Sequence, residues 1–416
     1  MQYRRLLAIA VTTCFLVPSL PGQDAPSLLK KRKGHKTVLR EKKREKAKPP
    51  TPLKKSGFQL VKYRAKQGKM WAYLSPPKKP TGKGPAIIWL TGGFPCSSPE
   101  AYLWEETDIE NEQSARVYRS KGITMLFPTL RGGVGGNPGY QETFYGEVED
   151  VISAFEYLKG LKHVDPKRIF LGGHSTGGTL ALLTAMATKK FAAVISLGPT
   201  SDDYGKDKAT HAWNDKERNL RAPIRHLASI KIPTYIIEGE TGASHALRQL
   251  KRANKNKLVT VVEIPEADHF DIIHPVNSIF ANAINKAKSG SLRIDTASLR
   301  ACVKVQERRL RESRDLRELA DHRRRGLDLD KPRTVTFYLY SPEEAPLKKI
   351  TSAKLGKGFK VGKPTKHRDS DGDTYFALEI EKKLDLMKLK DLFDSTAVVS
   401  RIAKKHDLQY DDWTAQ

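Results

Sequence analysis

The sequence predicts an α/β fold, a mostly parallel sheet with helices on both faces, followed by a smaller α+β unit. Three observations carry this. Between about residues 58 and 288, short apolar runs alternate with stretches of helical periodicity, the pattern of strands joined by crossover helices. Several of those runs are continuously apolar, as expected of strands covered on both faces. From about residue 332 the order changes to strand, helix, two strands and helix.

The chain opens on Arg4 and Arg5, the apolar run Leu6 to Val17, and a breaker region from Pro18 to Ala25. An apolar run of about twelve residues is too short to span a bilayer comfortably and reads as a secretory signal over residues 1–25, with cleavage near Gly22 to Ala25. The expectation is an exported chain, periplasmic or secreted, with membrane association where the signal is retained. Cys14, Cys96 and Cys302 are too few and too scattered for a disulfide framework or a metal-ligand cluster, and no cofactor is expected.

Formal net charge is +27, unevenly spread. Lys30 to Lys55 holds thirteen Lys/Arg against Glu41 and Glu45, with few large apolar residues. Such a composition predicts a solvated, disordered tether over residues 26–57. The functional reading of the same run is adhesion to an anionic surface. Nucleic-acid binding rests on charge alone, without a reading motif, so no specific nucleic acid is expected.

Order is predicted from Phe58. Phe58–Arg64 and Met70–Leu74 read as two strands turning near Gly68. Ala86–Leu90, Ile123–Phe127, Arg168–Leu171, Ala193–Leu197, Thr234–Ile237 and Leu258–Ile264 follow as further strands. Val148, Val151, Ile152, Phe155 and Leu158 recur at helical spacing between Gly146 and Lys159, and Val276 to Ala287 reads as a closing helix.

Gly173-His174-Ser175-Thr176-Gly177 stands between a strand and the small, apolar helix face Thr179 to Met186. G-x-S-x-G in that setting is a nucleophile elbow: the turn is too sharp for bulky neighbours, and Ser175 projects its hydroxyl at the positive end of a helix. The plain alternative is a Gly/Ser-rich loop. Arg131-Gly132-Gly133, then Glu147-Val148-Glu149-Asp150-Val151, then Val164-Asp165-Pro166-Lys167-Arg168-Ile169 precede the elbow in order. With these motifs, residues of about 58–288 resemble the α/β-hydrolase fold, closest to its prolyl-oligopeptidase and dienelactone-hydrolase branch. The resemblance implies hydrolysis of an ester or amide through an acyl-enzyme, on a small-molecule or peptide substrate.

A serine needs a base, and the family's chain order is nucleophile, acid, histidine. His269, in the loop after Leu258–Ile264 and before the last helix, fits the base, whereas His174 points the wrong way on an elbow. The family's aspartate would fall three residues past Gly239, at Gly242, which has no side chain. Glu240 is the favoured acid, with Glu238, Asp202 and Asp203 as alternatives. The oxyanion donors implied are the N–H of Thr176 and that of Gly93 or Phe94. Tyr102, Trp104, Tyr204 and Trp213 lie in insertions that line an acyl pocket or simply pack a lid.

Residues 291–331 are Arg-rich with a thin leucine stripe and read as a helical connector. The strand–helix–strand–strand–helix order beyond Pro332 is that of a ferredoxin-like unit. Phe337-Tyr338-Leu339-Tyr340-Ser341-Pro342-Glu343-Glu344, Gly358-Phe359-Lys360-Val361 and Tyr410-Asp411-Asp412-Trp413 make it resemble the family of regulator of ribonuclease E activity B, which implies protein binding. Asp369 to Asp373 is read as a hairpin turn in preference to a cation loop. Together these features predict an exported serine hydrolase, a peptidase or carboxylesterase, with a C-terminal domain that binds a protein. The competing class is a catalytically weak scaffold that binds through its basic segments.

Overall fold

A computed structural model of the chain describes residues 25–77, 82–93, 109–202, 214–287, 292–370 and 372–415. Residues 1–24 of the predicted signal therefore lie outside the described residues. So do Cys96, Tyr102, Trp104, Tyr204 and Trp213.

The chain divides into two compact units, the second beginning at Lys304. In the first, after helix α1 (Leu28–Arg32), strands β1 (Gln59–Ala65), β2 (Gly68–Ser75) and β3 (Gly84–Leu90) lead through helix α2 (Arg116–Ser120) to β4 (Thr124–Pro128). Helix α3 (Glu147–Lys159), strand β5 (Val164–His174), helix α4 (Thr176–Ala187), strand β6 (Val194–Leu197) and helix α5 (Asp215–Asn219) follow. Strand β7 (Thr234–Gly239), helix α6 (Ser244–Ala253), strand β8 (Val259–Ile264) and helix α7 (Ile273–Lys286) complete the layered core. The sheet order is β1-β2-β4-β3-β5-β6-β7-β8. Only the β1–β2 and β2–β4 pairs of this sheet are antiparallel. This is the α/β-hydrolase order.

Both faces of the sheet are covered. Ala86, Ile88 and Leu90 pack with residues of α3, α4 and α6, while Ile87 and Trp89 pack with residues of α2 and α7. The continuous apolar runs follow from that double burial. Helix α4 is buried along its whole length, which explains its small, apolar composition.

The Arg-Gly-Gly motif and the acidic start of α3 are two halves of one buried ion pair. Arg131 Nε and Nη2 donate to the two Asp150 oxygens at 2.9 and 2.8 Å, its backbone N–H donates to Asp150 at 3.0 Å, and Nη1 reaches Glu142 at 2.9 Å. The fork satisfies a guanidinium and a carboxylate that are both fully buried. Any side chain at Gly146 would collide with that guanidinium. The pair fixes the loop between β4 and α3.

The basic segment departs from the expectation of a disordered tether, for the described chain from residue 25 runs along the hydrolase unit as an ordered strap. Leu28 of α1 is fully buried in the core beside α4. Arg32 donates to the carbonyls of Leu220, Phe144 and Tyr145 at 2.7–3.2 Å. His35 and Thr37 meet Glu217 at 2.9 and 3.1 Å, and Glu217 also pairs with the buried Arg221. Further on, Glu45 N–H donates to Gly132, while Gln141 N–H and Gly135 N–H donate to Lys43 and Ala47. Composition hid this because the strap is held by backbone bonds, one apolar anchor and buried polar pairs. Its outward face keeps Lys30, Lys33, Lys36, Arg40, Lys42, Arg44, Lys46 and Lys48 exposed.

The predicted connector is helical. It forms helix α8 (Thr296–Arg324), whose Leu299, Cys302 and Val303 join the first core, and burial pushes the Cys302 thiol up to about 12. Asp315, later in α8, belongs to the second unit, where it accepts from Thr396 Oγ1 at 2.7 Å and Trp413 Nε1 at 3.2 Å.

In that unit, strand β9 (Arg333–Ser341) is followed by helices α9 (Glu344–Lys348) and α10 (Ser352–Leu355), then strands β10 (Phe359–Val361), β11 (Thr365–Arg368) and β12 (Thr374–Leu384). Helix α11 (Leu389–Lys405) and strand β13 (Gln409–Ala415) end it. The antiparallel order β10-β12-β9-β13, with β11 also on β12, gives the ferredoxin-like α+β arrangement. Val335, Phe337, Leu339, Leu378, Ile380 and Trp413 are its core. The Asp369 to Asp373 stretch joins β11 to β12, with Asp373 N–H donating to Asp369 Oδ1 at 2.8 Å.

Candidate active site

The end of β5 runs straight into the turn. Ser175 takes φ 55° and ψ −119°, a conformation rare for a residue with a side chain. Its N–H donates to Leu197 O at 2.8 Å, and its carbonyl accepts from Thr179 N–H at 2.9 Å. The flanking glycines are there for space. A methyl on Gly173 would sit 2.5 Å from the Gly177 carbonyl oxygen, and one on Gly177 would strike the Leu90 and Thr91 carbonyls. A strained serine wedged between a buried strand and a buried helix is positioned to expose its hydroxyl at the helix N-terminus.

His269 lies in the loop after β8, about one-fifth exposed, and its Nδ1 is 2.7 Å from Glu238 Oε2. Glu238 is buried at the end of β7, and its Oε1 accepts from Gly239 N–H at 2.7 Å. The carboxylate fixes the imidazole: Nδ1 carries the proton and Nε2 keeps a lone pair. Gly198, at φ +59°, leaves room for the ring, since a Cβ there would stand 2.7 Å from His269 Nδ1.

The carboxylate that meets His269 is thus Glu238, and the favoured Glu240 is corrected. Glu240 is exposed, and its Oε2 accepts from Glu266 N–H at 3.0 Å, which ties the His269 loop to the end of β7. Asp202 is exposed after β6, and Asp203 lies outside the described residues. The reason is steric. A Cβ on Gly242 would be 2.7 Å from Glu238 Oε1 and 2.8 Å from His269 N, so the glutamate arm fills the place where an aspartate at 242 would sit. The sequence signal was a carboxylate ending a continuously buried strand.

The loop after β3 closes on the elbow. Thr176 Oγ1 donates to Gly93 O at 2.5 Å, and a Cβ on Gly92 would lie 3.3 Å from Ser175 Cβ. The structure therefore brings Gly93 and Thr176 together beside Ser175, while Phe94 lies outside the described residues. Among the described residues, the Ser175 hydroxyl makes no hydrogen bond to His269. Such bonds often tighten only when substrate is bound.

His174, which points the wrong way on the elbow to serve as the base, has other partners. It is fully buried, its Nε2 is 2.8 Å from the His269 carbonyl, and the two imidazole centroids are 4.4 Å apart. Burial, then the neighbouring His269, holds its pKa down to about 3. Gln113 and Phe270 also border the site, and no motif in the sequence marks them. The Gln113 amide contacts His174, and the Phe270 ring stands 5.1 Å from that of His269 with 42% of its surface exposed.

Residues 111–232 match the prolyl oligopeptidase family, and residues 316–414 match the family of regulator of ribonuclease activity B. The first match covers Ser175 but ends before Glu238 and His269. The acyltransferase drtE of Aspergillus calidoustus is 29% identical over 125 residues, 30% of this chain and 37% of that protein. The uncharacterized peptidase YtmA of Bacillus subtilis is 26% identical over 214 residues, 47% of this chain and 77% of that protein. The chain spans only 37% and 39% of drtE and of the polyketide transferase ATR5 of Stachybotrys chlorohalonatus. Among solved structures, the Pyrococcus furiosus esterase Pf2001 is 17% identical, with 58% of this chain and 97% of that chain covered at a TM-score of 0.42.

Proposed function

We propose that this chain, which carries a prolyl oligopeptidase family segment on an α/β-hydrolase fold, is a serine hydrolase that cleaves a carboxylic ester or a peptide or other amide bond through an acyl-enzyme. The observation that carries the reading is the 2.7 Å bond between buried Glu238 and His269, beside a strained Ser175. Ser175 Oγ attacks the substrate carbonyl carbon as its proton passes to His269 Nε2, and Glu238 stabilises the imidazolium. The N–H groups of Thr176 and Gly93 receive the oxyanion. His269 then gives the proton to the leaving alcohol or amine, and water repeats the cycle to release the acid and free Ser175. Transferase names among the relatives fit the same intermediate, with an alcohol or amine in place of water.

Labelling with a fluorophosphonate tests the reading. Intact mass should rise by one phosphonyl group, lost in Ser175→Ala, and a panel of p-nitrophenyl esters and aminoacyl or prolyl p-nitroanilides should identify the leaving group. A folded protein that stays unlabelled and turns over none of the panel favours the scaffold reading instead. The Arg4–Val17 pattern supports export, and a mature chain beginning near Gln23 to Pro26 is the expected mass in an exported fraction. The exposed cations of the strap support adhesion to an anionic surface, and the C-terminal unit is proposed to bind a protein.

A further inference from the structure

The proposed triad does not use the most deeply buried titratable group beside it. His174 sits between Gly173 and Ser175, and both of its ring nitrogens are engaged. Its Nε2 faces the carbonyl oxygen of His269 at 2.8 Å. A carbonyl only accepts, so Nε2 carries the proton, and the neutral ring presents a lone pair at Nδ1. Gln113 Nε2 stands 3.0 Å from that nitrogen and donates to it. The other Nε2 proton goes to Asn111 Oδ1 at 2.9 Å, and Gln113 Oε1, which lies 3.3 Å from the same His174 nitrogen and so farther than the amide donor, accepts from Gly92 N–H at 3.4 Å. Gln113 is itself pinned, because Trp89 Nε1 donates to its carbonyl at 2.9 Å.

The bonds have one consistent direction, from Gly92 N–H through the Gln113 amide and the His174 imidazole to the His269 main chain. They join three separate pieces of the site: the loop that supplies Gly93, the residue before the nucleophile, and the loop of the base. The His269 side chain is held from the opposite side by Glu238. We infer that His174 and Gln113 are positioning residues, a neutral hydrogen-bond relay that sets the oxyanion loop and the His269 loop at a fixed separation about Ser175. The inference rests on the serine-hydrolase reading and adds two residues to it.

The relay works only with a lone pair on Nδ1 facing a donor. Gln113→Glu replaces that donor with an acceptor of the same shape. The contact between the new carboxylate and His174 then needs an added proton, which is taken up as pH falls and lost as pH rises. Steady-state hydrolysis of p-nitrophenyl butyrate by the full-length protein, measured across pH, reads this out. Wild-type kcat should hold its level toward high pH, whereas Gln113→Glu should show a new descending limb. His174→Phe fills the space without either bond and should lower kcat on the order of 10²-fold with KM little changed, the signature of lost alignment. His174→Gln keeps a donor toward the His269 carbonyl and should recover part of that loss.

A Gln113→Glu profile that overlays the wild type overturns the relay, and so does a folded His174→Phe enzyme within about twofold of wild-type kcat. If His174→Phe fails to fold, the Gln113→Glu profile decides alone. Ser175→Ala separates the two levels. Turnover that survives Ser175→Ala removes the hydrolase reading and the relay together, while turnover that needs Ser175 but ignores His174 and Gln113 removes only the relay.

Discussion

At the scale of single residues, the acid of the site separates two glutamates two positions apart. Glu238→Gln keeps the shape, removes the charge beside the imidazolium, and should lower kcat on the order of 10³- to 10⁴-fold, about 4–5 kcal/mol in the barrier. Glu240→Gln should stay within a few-fold, because Glu240 holds the Glu266 N–H and does not touch His269. Ester hydrolysis by the two variants checks this directly. Gly242→Asp is expected to lower activity, since the new side chain enters the space of the Glu238 carboxylate and the His269 backbone. Ser175 and His269 were legible in the sequence because an elbow and a post-strand loop have fixed places along the chain. Glu238 was legible only as an alternative, because nothing one-dimensional says that Gly242 leaves room for a glutamate arm reaching from the strand end. Gln113 was not legible, since its partners Trp89, Gly92 and His174 lie in two other segments of the chain.

At the scale of elements, the strands and the main helices were readable from apolar periodicity, while the strap was not, because few of its own side chains are buried. Its order makes a prediction opposite to that of a solvated tether. The amides of Glu45, Gly135 and Gln141, bonded across strap and loop, should exchange slowly with deuterated solvent, and rapid exchange at all three would contradict the fold. Arg32→Ala leaves the carbonyls of Leu220, Phe144 and Tyr145 without their charged donor and should cost on the order of 2–3 kcal/mol in urea unfolding. Glu147, at the start of α3, adds a pH dependence. Burial first, then the nearby Glu142, raises its carboxyl to about 7, and its Oε1 accepts from Glu142 N–H at 2.6 Å. A carboxyl raised in the folded state favours folding below its unfolded value and loses that contribution as pH rises through about 7. Thermal melts should therefore show Glu147→Gln gaining on the wild type between pH 5 and 8, and parallel curves would exclude the linkage.

At the scale of the whole molecule, the two units have separate cores, and the +27 charge is spread over the strap, the rest of the first unit, the Arg-rich helix α8 and, with a smaller excess, the remainder of the second unit. Retention on an anionic matrix should fall steeply with salt, as for solvent-exposed charges, and replacing Lys36, Lys42, Lys46 and Lys48 by Gln should shift elution to lower salt without loss of ester hydrolysis. An unchanged elution would place the adhesive charge elsewhere. The strap also has a consequence in time. Its α1 end is made first, yet Arg32 bonds to Leu220, His35 to Glu217, and Pro26 to Ser229, partners 188, 182 and 203 residues further along. At roughly 5–20 residues per second of synthesis, that is an interval of about 10–40 s in which the segment has no place to go. Throughout it, a strongly cationic stretch is already synthesised without its docking partners, open to whatever engages such stretches. Its docking then marks the moment at which the chain as far as Ser229 is in place.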